Sequence, residues 1–130
     1  THPGVRRLVR FVEKPDAATA EALFRGGRHL WNAGLVLARA GTLVEAFAAH
    51  APAILEAARG ALGAARRDLG FTRLDPAPWA AAPALSIDYA VMERAANLAV
   101  VPFAGSWSDL GSWEAVRQQS GPDAAGNAQG

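Results

Sequence analysis

The chain has 130 residues, thirteen basic and twelve acidic side chains, a formal net charge of +1 and no cysteine. A chain of this length can bury a real core as one domain. Near-neutral charge without a basic stripe argues against nucleic acid as a partner, and the lack of cysteine excludes disulfides and thiolate chemistry. No apolar run has the length of a membrane span. We therefore expect a cytoplasmic protein with neither nucleic acid nor membrane as partner.

The first elements are a strand and a short helix. Alternate apolar residues from Val5 onward predict a strand that ends near Glu13, where Pro15 stops it. Asp16 is a suitable N-cap for a helix over residues 17–25, which the glycines at 26 and 27 end. A bend at residues 32–34 then leads into an apolar run that predicts a buried strand at residues 35–37.

Helices and strands continue to alternate in the rest of the chain. The predicted elements are helices at residues 42–50 and 52–68, a loop at 71–85, a helix from Ser86, a strand at 98–103 and a helix at 113–119 capped by Ser112. This alternation predicts an α/β fold with parallel or mixed pairing. We expect one domain over residues 1–120 and a polar linker or tail over 121–130.

One lysine, Lys14, stands among twelve arginines. It follows Glu13 at the predicted strand end, and strand ends face the ligand crevice in open α/β sheets. A carboxylate can accept from sugar hydroxyls, and a lysine ammonium is a mobile point charge suited to phosphate. The alternative is that both residues are solvated side chains before a turn.

Three further stretches carry candidate site residues. Asn32 in "WNAG" offers a donor and an acceptor to vicinal hydroxyls, or is simply a turn residue. Asp109 in "SWSDLGSW" lies in a loop where Gly111 permits close backbone approach. Its carboxylate suits Mg²⁺, although it could instead satisfy backbone donors. Asp88 in "SIDYAVMER" lies in a first helical turn, where capping is the simpler role.

No G-x-G-x-x-G turn follows a predicted strand. Either the chain binds no nucleotide, or it is part of a protein that does. The stretches "FVEKPD", "LWNAGLVLARA", "PALSIDYAVMERAANLAVVP" and "WSDLGSW", in this order, resemble the second half of the catalytic domain of the mannose-1-phosphate guanylyltransferase family. The resemblance covers residues 5–127. It implies part of a Rossmann-like α/β/α sandwich with a mixed sheet, of the nucleotide-diphospho-sugar transferase type.

The resemblance also implies an activity and a site. Family members join mannose 1-phosphate to GTP with Mg²⁺, giving GDP-mannose and diphosphate. Lys14 and Asp109 would be the catalytic residues, with Lys14 on the phosphate of the sugar phosphate and Asp109 on the metal. The implied substrate-binding residues are Glu13, Lys14, Asn32, Gly34 and Asp88. Of these, Asp88 would either contact the sugar itself or support a residue that contacts it.

Departures from the family pattern leave alternatives open. The family's glycine-rich nucleotide segment and an upstream metal-binding aspartate are absent, so we expect the isolated chain to be inactive. Ala33 replaces a usual serine, which bears on mannose preference. The alternatives are another sugar-1-phosphate nucleotidyltransferase, or a noncatalytic module that binds sugar phosphates. An incomplete sheet would also expose a strand edge and apolar surface, which predicts self-association into homo-oligomers.

Overall fold

The computed structural model describes residues 3–121 and residue 127. These residues form two compact units. The first comprises residues 3–29 and 36–101, and the second comprises residues 30–35 together with the described residues from 102 onward. Asp88, Glu13 and Lys14 belong to the first unit, whereas Asn32, Gly34 and Asp109 belong to the second.

The described part of the chain contains short strands and five α-helices. In chain order they are β1 (Arg6–Arg7), α1 (Ala17–Arg25), α2 (Ala40–His50), α3 (Pro52–Gly63), β2 (Arg66–Asp68), β3 (Phe71–Arg73), α4 (Pro76–Ala80), a π-helical turn (Asp88–Met92), β4 (Ala99–Val100) and α5 (Trp113–Ser120). The order confirms an α/β composition. All of these elements except α5 belong to the first unit.

The core of the first unit lies where α2 packs on α3 and on the π-helical turn. Its buried side chains are Ala61, Ala90, Val91 and Met92. Helix α4 packs on α3, and a Cβ built on Gly60 would lie 3.2 Å from Pro78 Cβ. Glycine at that position therefore lets the two helices approach closely.

The two sheets are small and antiparallel. Strand β1 pairs with β4, with Arg6 opposite Val100, and β2 pairs with β3 as a hairpin. Within the described residues, neither ladder is parallel or mixed, so that part of the pairing prediction is wrong. The strand predicted to end near Glu13 is also shorter than expected. Leu8 N donates to the Leu98 carbonyl at 3.1 Å, and beyond Leu8 the backbone has no strand partner within the described residues.

The buried strand predicted at residues 35–37 is wrong. This segment forms no strand in the structure, and its large apolar side chains are exposed, with Leu37 fully accessible at 100%. An apolar run predicts burial only where a partner layer covers it, and no described element covers this one. Exposed apolar surface is thus observed as expected, while self-association stays a prediction.

Several element boundaries also differ from expectation. Helix α3 ends at Gly63 instead of near residue 68, and the hairpin β2–β3 follows it. The predicted loop at 71–85 includes strand β3 and helix α4, whose N-cap Asp75 accepts from Ala77 N at 2.9 Å. The helix expected from Ser86 is a π-helical turn. Apolar periodicity does not fix where helices and strands begin and end, so boundaries are the least certain part of such a prediction.

Most of the predicted tail at 121–130 lies outside the described residues, and the boundary at residue 120 stays a prediction. Among the helices of the described ranges, none combines the length and apolar character needed to span a lipid bilayer.

Candidate functional site

The predicted charged pair lies between β1 and α1 in the first unit. Lys14 Nζ is 3.7 Å from Glu13 Oε1, and the lysine side chain is 76% exposed while that of Glu13 is 20% exposed. An exposed ion pair of this kind contributes little to stability, on the order of 0–1 kcal/mol. The ammonium therefore remains accessible to an anion in solution, with a carboxylate beside it.

Lys14 has an unusual backbone conformation. Its φ is +45°, in the left-handed region that lysine rarely adopts, and it precedes Pro15. L-residues in that region carry a cost of about 1–2 kcal/mol. Strain of this kind persists only where the surroundings hold it, and it is enriched at functional sites.

Two contacts fix the chain on either side of Lys14. After it, the Asp16 carboxylate accepts from Thr19 N at 2.8 Å and from Thr19 Oγ1 at 3.1 Å. These bonds cap α1 as predicted, and they lower the pKa of Asp16. Before it, the Glu13 backbone N–H donates to Glu93 Oε1 at 2.9 Å. The motif containing Glu93 was apparent in the sequence, but its contact with a residue 80 positions away was not.

Glu93 directly follows the π-helical turn. Its own N–H donates to the Asp88 carbonyl at 3.0 Å, which is the i to i−5 bond of a π-helix. Asp88 lies in the first turn, as predicted, and is half-buried. Its carboxylate accepts no capping bond from the described residues; Ser86 Oγ instead accepts from Tyr89 N at 3.5 Å. The capping role expected of Asp88 is therefore not observed.

In the second unit, Asn32 forms a local turn. Its Oδ1 accepts from Gly34 N at 3.0 Å, and Gly34 has a φ of +72°, where glycine is favoured. The side-chain amide Nδ2 makes no hydrogen bond within the described residues. Asn32 thus keeps two donors that a hydroxyl could accept, while its carbonyl oxygen shapes the turn.

Asp109 forms a similar turn in the same unit. Its Oδ1 accepts from Gly111 N at 3.0 Å, and Leu110 between them has a φ of +49°. A Cβ built on Gly111 would lie 3.1 Å from Asp109 Oδ2. Glycine at position 111 therefore gives the carboxylate room, in agreement with the close approach expected from the sequence. Ser112 then caps α5 by accepting from Ala115 N at 3.1 Å, also as predicted.

Within the described residues, one carboxylate oxygen of Asp109 is available to a cation such as Mg²⁺. Oδ1 is engaged with the backbone, and Oδ2 has no hydrogen-bond donor among the described residues. Mg²⁺ is commonly held by one or two carboxylates together with water and substrate phosphates. Within residues 3–121, no three His, Asp or Glu side chains cluster as a metal site, so a closed protein cage is not formed there.

Comparison with known sequences places the chain in a family. Residues 2–124 match the family described as Nucleotidyl transferase, and the chain belongs to that family. Its domain therefore has the nucleotide-diphospho-sugar transferase fold of that family, in agreement with the α/β class expected from the sequence.

Curated relatives are similar over most of the chain. The Xanthan biosynthesis protein XanB of Xanthomonas campestris pv. campestris is 44% identical over 125 residues, 96% of this chain and 27% of the relative. The mannose-1-phosphate guanylyltransferase of Escherichia coli is 43% identical over 92% of this chain and 25% of the relative. That of Sinorhizobium fredii is 44% identical over 90% and 23%, respectively. The chain thus spans about a quarter of the length of these relatives.

Proposed function

We propose that the protein to which this chain belongs is a mannose-1-phosphate guanylyltransferase, which makes GDP-mannose and diphosphate from GTP and mannose 1-phosphate. The observation that carries the proposal is the geometry of Lys14. Its exposed ammonium lies 3.7 Å from the Glu13 carboxylate, and its backbone has a left-handed conformation. The names of the Escherichia coli and Sinorhizobium fredii relatives support the same substrates. GTP is a cytoplasmic nucleotide, so we also propose a cytoplasmic enzyme.

The charged pair would bind the sugar phosphate from two sides. Lys14 offers three donors and a positive charge to the phosphate. Its side chain is exposed, and within the described residues Glu13 is the one carboxylate that pairs with it. Glu13 accepts from sugar hydroxyls. Asn32 donates to a hydroxyl through its amide Nδ2, and the Gly34 backbone lies beside it. Asp88, half-buried without a capping bond, is a further acceptor for the sugar.

The reaction joins two anions. An oxygen of the sugar phosphate attacks the α-phosphorus of GTP, a new P–O bond forms, the bond from the α-phosphorus to the bridging oxygen breaks, and diphosphate leaves with that electron pair. Such transfer depends on in-line positioning and on charge stabilisation. Lys14 reduces the repulsion by neutralising the attacking phosphate, and Glu13 beside it accepts from the hydroxyls of the sugar.

Asp109 would hold the Mg²⁺ cofactor through Oδ2. When bound, the ion would neutralise negative charge on phosphate oxygens. The contribution of the chain is to present that oxygen: Gly111 N holds Oδ1, and the absence of a Cβ at Gly111 leaves Oδ2 uncrowded.

Turnover of the full-length protein with GTP, mannose 1-phosphate and Mg²⁺ tests the proposal. Lys14→Ala should raise KM for mannose 1-phosphate by about tenfold or more, because a charged hydrogen bond contributes roughly 1.5–3 kcal/mol. Asp109→Ala should remove the response to Mg²⁺. Glu56→Ala, which removes an exposed carboxylate paired with Arg59, is the matched control and should leave both unchanged.

Four results would contradict the proposal. An unchanged KM in Lys14→Ala would refute the phosphate contact, and normal Mg²⁺ dependence in Asp109→Ala would refute the metal ligand. Turnover of glucose 1-phosphate in preference to mannose 1-phosphate would identify a different sugar nucleotidyltransferase. Binding of the sugar phosphate without turnover would identify a noncatalytic module.

A further inference from the structure

The segment that carries Glu13 and Lys14 has little support from the sheet. Strand β1 ends at Arg7, and α1 begins at Ala17. Between them, the bond from Glu13 N to Glu93 Oε1 is the one side-chain hydrogen bond within the described residues that joins this segment to a distant part of the chain. Asp16 caps only its own helix.

Glu93 is itself firmly placed. The three residues of the π-helical turn before it, Ala90, Val91 and Met92, are buried. Ala95 N donates to the Val91 carbonyl at 2.8 Å, and Arg94 Nη1 donates to the His50 carbonyl at 3.1 Å. The residues on both sides of Glu93 are therefore anchored to the core or to α2, while the carboxylate reaches the surface.

We infer that Glu93 is a positioning residue for sugar-phosphate binding: by holding the Glu13 backbone N–H, it fixes the strained Lys14 in the conformation that presents its ammonium. The inference rests on the proposed function. The bond gives the Glu13 N–H a fixed acceptor at 2.9 Å, one residue before Lys14. Held at Glu13 by Glu93 and at Asp16 by the cap of α1, the chain has few ways to relieve the positive φ of Lys14.

Glu93 is distinct from the groups proposed to touch substrate. Its carboxylate is directed at a backbone donor, which an uncharged acceptor of the same length can also satisfy. The chemistry therefore requires an acceptor at the right reach more than a negative charge. Glutamine keeps that acceptor, aspartate is shorter by one methylene, and alanine removes it.

The experiment compares Glu93→Gln, Glu93→Asp and Glu93→Ala in the full-length protein. Calorimetry with mannose 1-phosphate should give a Kd within about twofold of wild type for Glu93→Gln. For Glu93→Ala and Glu93→Asp we expect Kd to rise about tenfold, which corresponds to the loss of roughly one hydrogen bond. KM for mannose 1-phosphate should follow Kd, whereas KM for GTP should not change.

Amide hydrogen exchange at Glu13 provides a readout without substrate. Its exchange should be faster in Glu93→Ala and Glu93→Asp than in wild type or Glu93→Gln. Glu56→Ala removes an exposed carboxylate that pairs with Arg59 on the same helix, and it should leave both Kd and Glu13 exchange unchanged. Should Glu93→Ala fail to fold, the Asp and Gln variants still separate reach from charge.

Two outcomes are separable. A wild-type protein that binds no mannose 1-phosphate overturns the proposed function. A wild type that binds it, together with Glu93→Ala or Glu93→Asp variants of unchanged Kd, overturns the positioning role alone. Equal loss of affinity in Glu93→Gln and Glu93→Ala would also overturn the positioning role, since the affinity would then depend on the charge of Glu93 and not on its hydrogen-bond acceptor.

Discussion

Arg94 Nη1 donates to the carbonyl oxygen of His50 at 3.1 Å, although the two residues are 44 positions apart. His50 is the last residue of α2, where carbonyl groups have no partner within the helix. The guanidinium thus satisfies one of these carbonyls and its charge is favourable at this end of the helix dipole. The contact joins α2 to the segment that follows the π-helical turn.

Loss of this contact should lower stability. Arg94→Ala is expected to reduce the free energy of unfolding by about 1 kcal/mol, the usual contribution of one hydrogen bond at an exposed position. Urea denaturation of the purified protein measures the change. Arg28→Ala is the control, since the side chain of this exposed arginine forms no hydrogen bond or ion pair within residues 3–121, and its removal should have no effect. Equal stability of the two variants would show that the Arg94 contact is energetically neutral.

Substitutions of Lys14 should change stability and substrate affinity to different extents. Lys14→Gly removes the side chain from a position with φ of +45°, where glycine carries no steric cost. We expect it to be more stable than Lys14→Ala by about 0.5–1 kcal/mol, because Ala retains the strain and Gly does not. Both variants should lose affinity for mannose 1-phosphate to a similar extent.

Denaturation and calorimetry on the same two proteins check this prediction. A Lys14→Gly protein less stable than Lys14→Ala would mean that the left-handed conformation costs nothing at this position. A large difference in affinity between them would mean that backbone conformation, and not the ammonium, governs binding.

The β2–β3 hairpin offers a second strained residue away from the site. Its two central residues, Leu69 and Gly70, have φ of +45° and +89°. Two-residue hairpins with positive φ at both positions favour Asn-Gly, and the Leu69 side chain is 94% exposed, so it contributes no burial. Leu69→Asn should therefore raise the unfolding free energy by about 0.5–1 kcal/mol.

Thermal unfolding of Leu69→Asn and Gly70→Ala measures the effect. The second variant puts a Cβ at a positive φ, so it should lower the midpoint while the first raises it. Neither should alter KM for mannose 1-phosphate. Opposite signs in the two variants are required; a midpoint that falls in Leu69→Asn would contradict the assignment of strain.

Helix α5 should respond to acid through Glu114. Its carboxylate accepts from Arg117 Nη2 at 2.7 Å and from Gln118 Nε2 at 2.9 Å, and these bonds lower the pKa of Glu114 from 4.5 to about 2. The pKa is lower in the folded state, so the pairing stabilises α5 above pH 4.5. That contribution is lost as the pH falls from 4.5 towards 2.

An NMR titration of the Glu114 side chain measures this pKa directly. In Arg117→Gln it should move back towards 4.5, since the guanidinium is the main cause of the shift. Because the pair is exposed, added salt should screen it and also move the pKa of Glu114 back towards 4.5. A pKa in wild type that matches that of Arg117→Gln would refute the pairing.

Sequence reasoning succeeded where the deciding contacts are local. Asp16 and Ser112 cap the helices that directly follow them, and each bond spans three residues. It failed where the deciding partner is remote. The apolar run at residues 35–37 has the composition of a buried strand, yet only a neighbouring layer could bury it. The bond between Glu13 and Glu93 likewise depends on how β1 and the π-helical turn are brought together, which no local pattern encodes.

The candidate site shows the same division. Lys14 was identified from the sequence because it is the one lysine in the chain, but its positive φ is a property of the folded chain. Asn32 and Asp109 were identified from residue type, and each proved to have one oxygen engaged in a local turn. Residue chemistry therefore predicted the candidates, and only the structure showed which of their atoms remain free among the described residues.

The π-helical turn at Asp88–Met92 also bears on how this segment tolerates insertions and deletions. A π-helical turn accommodates one residue more than an α-helical turn of the same span. Loss of a single codon between positions 88 and 92 would restore α-helical register with little damage to the apolar composition. Because the π-helical turn absorbs the extra residue, Glu93 would keep its direction towards the Glu13 amide after such a deletion. In such a lineage the reading frame would survive together with the support for Lys14.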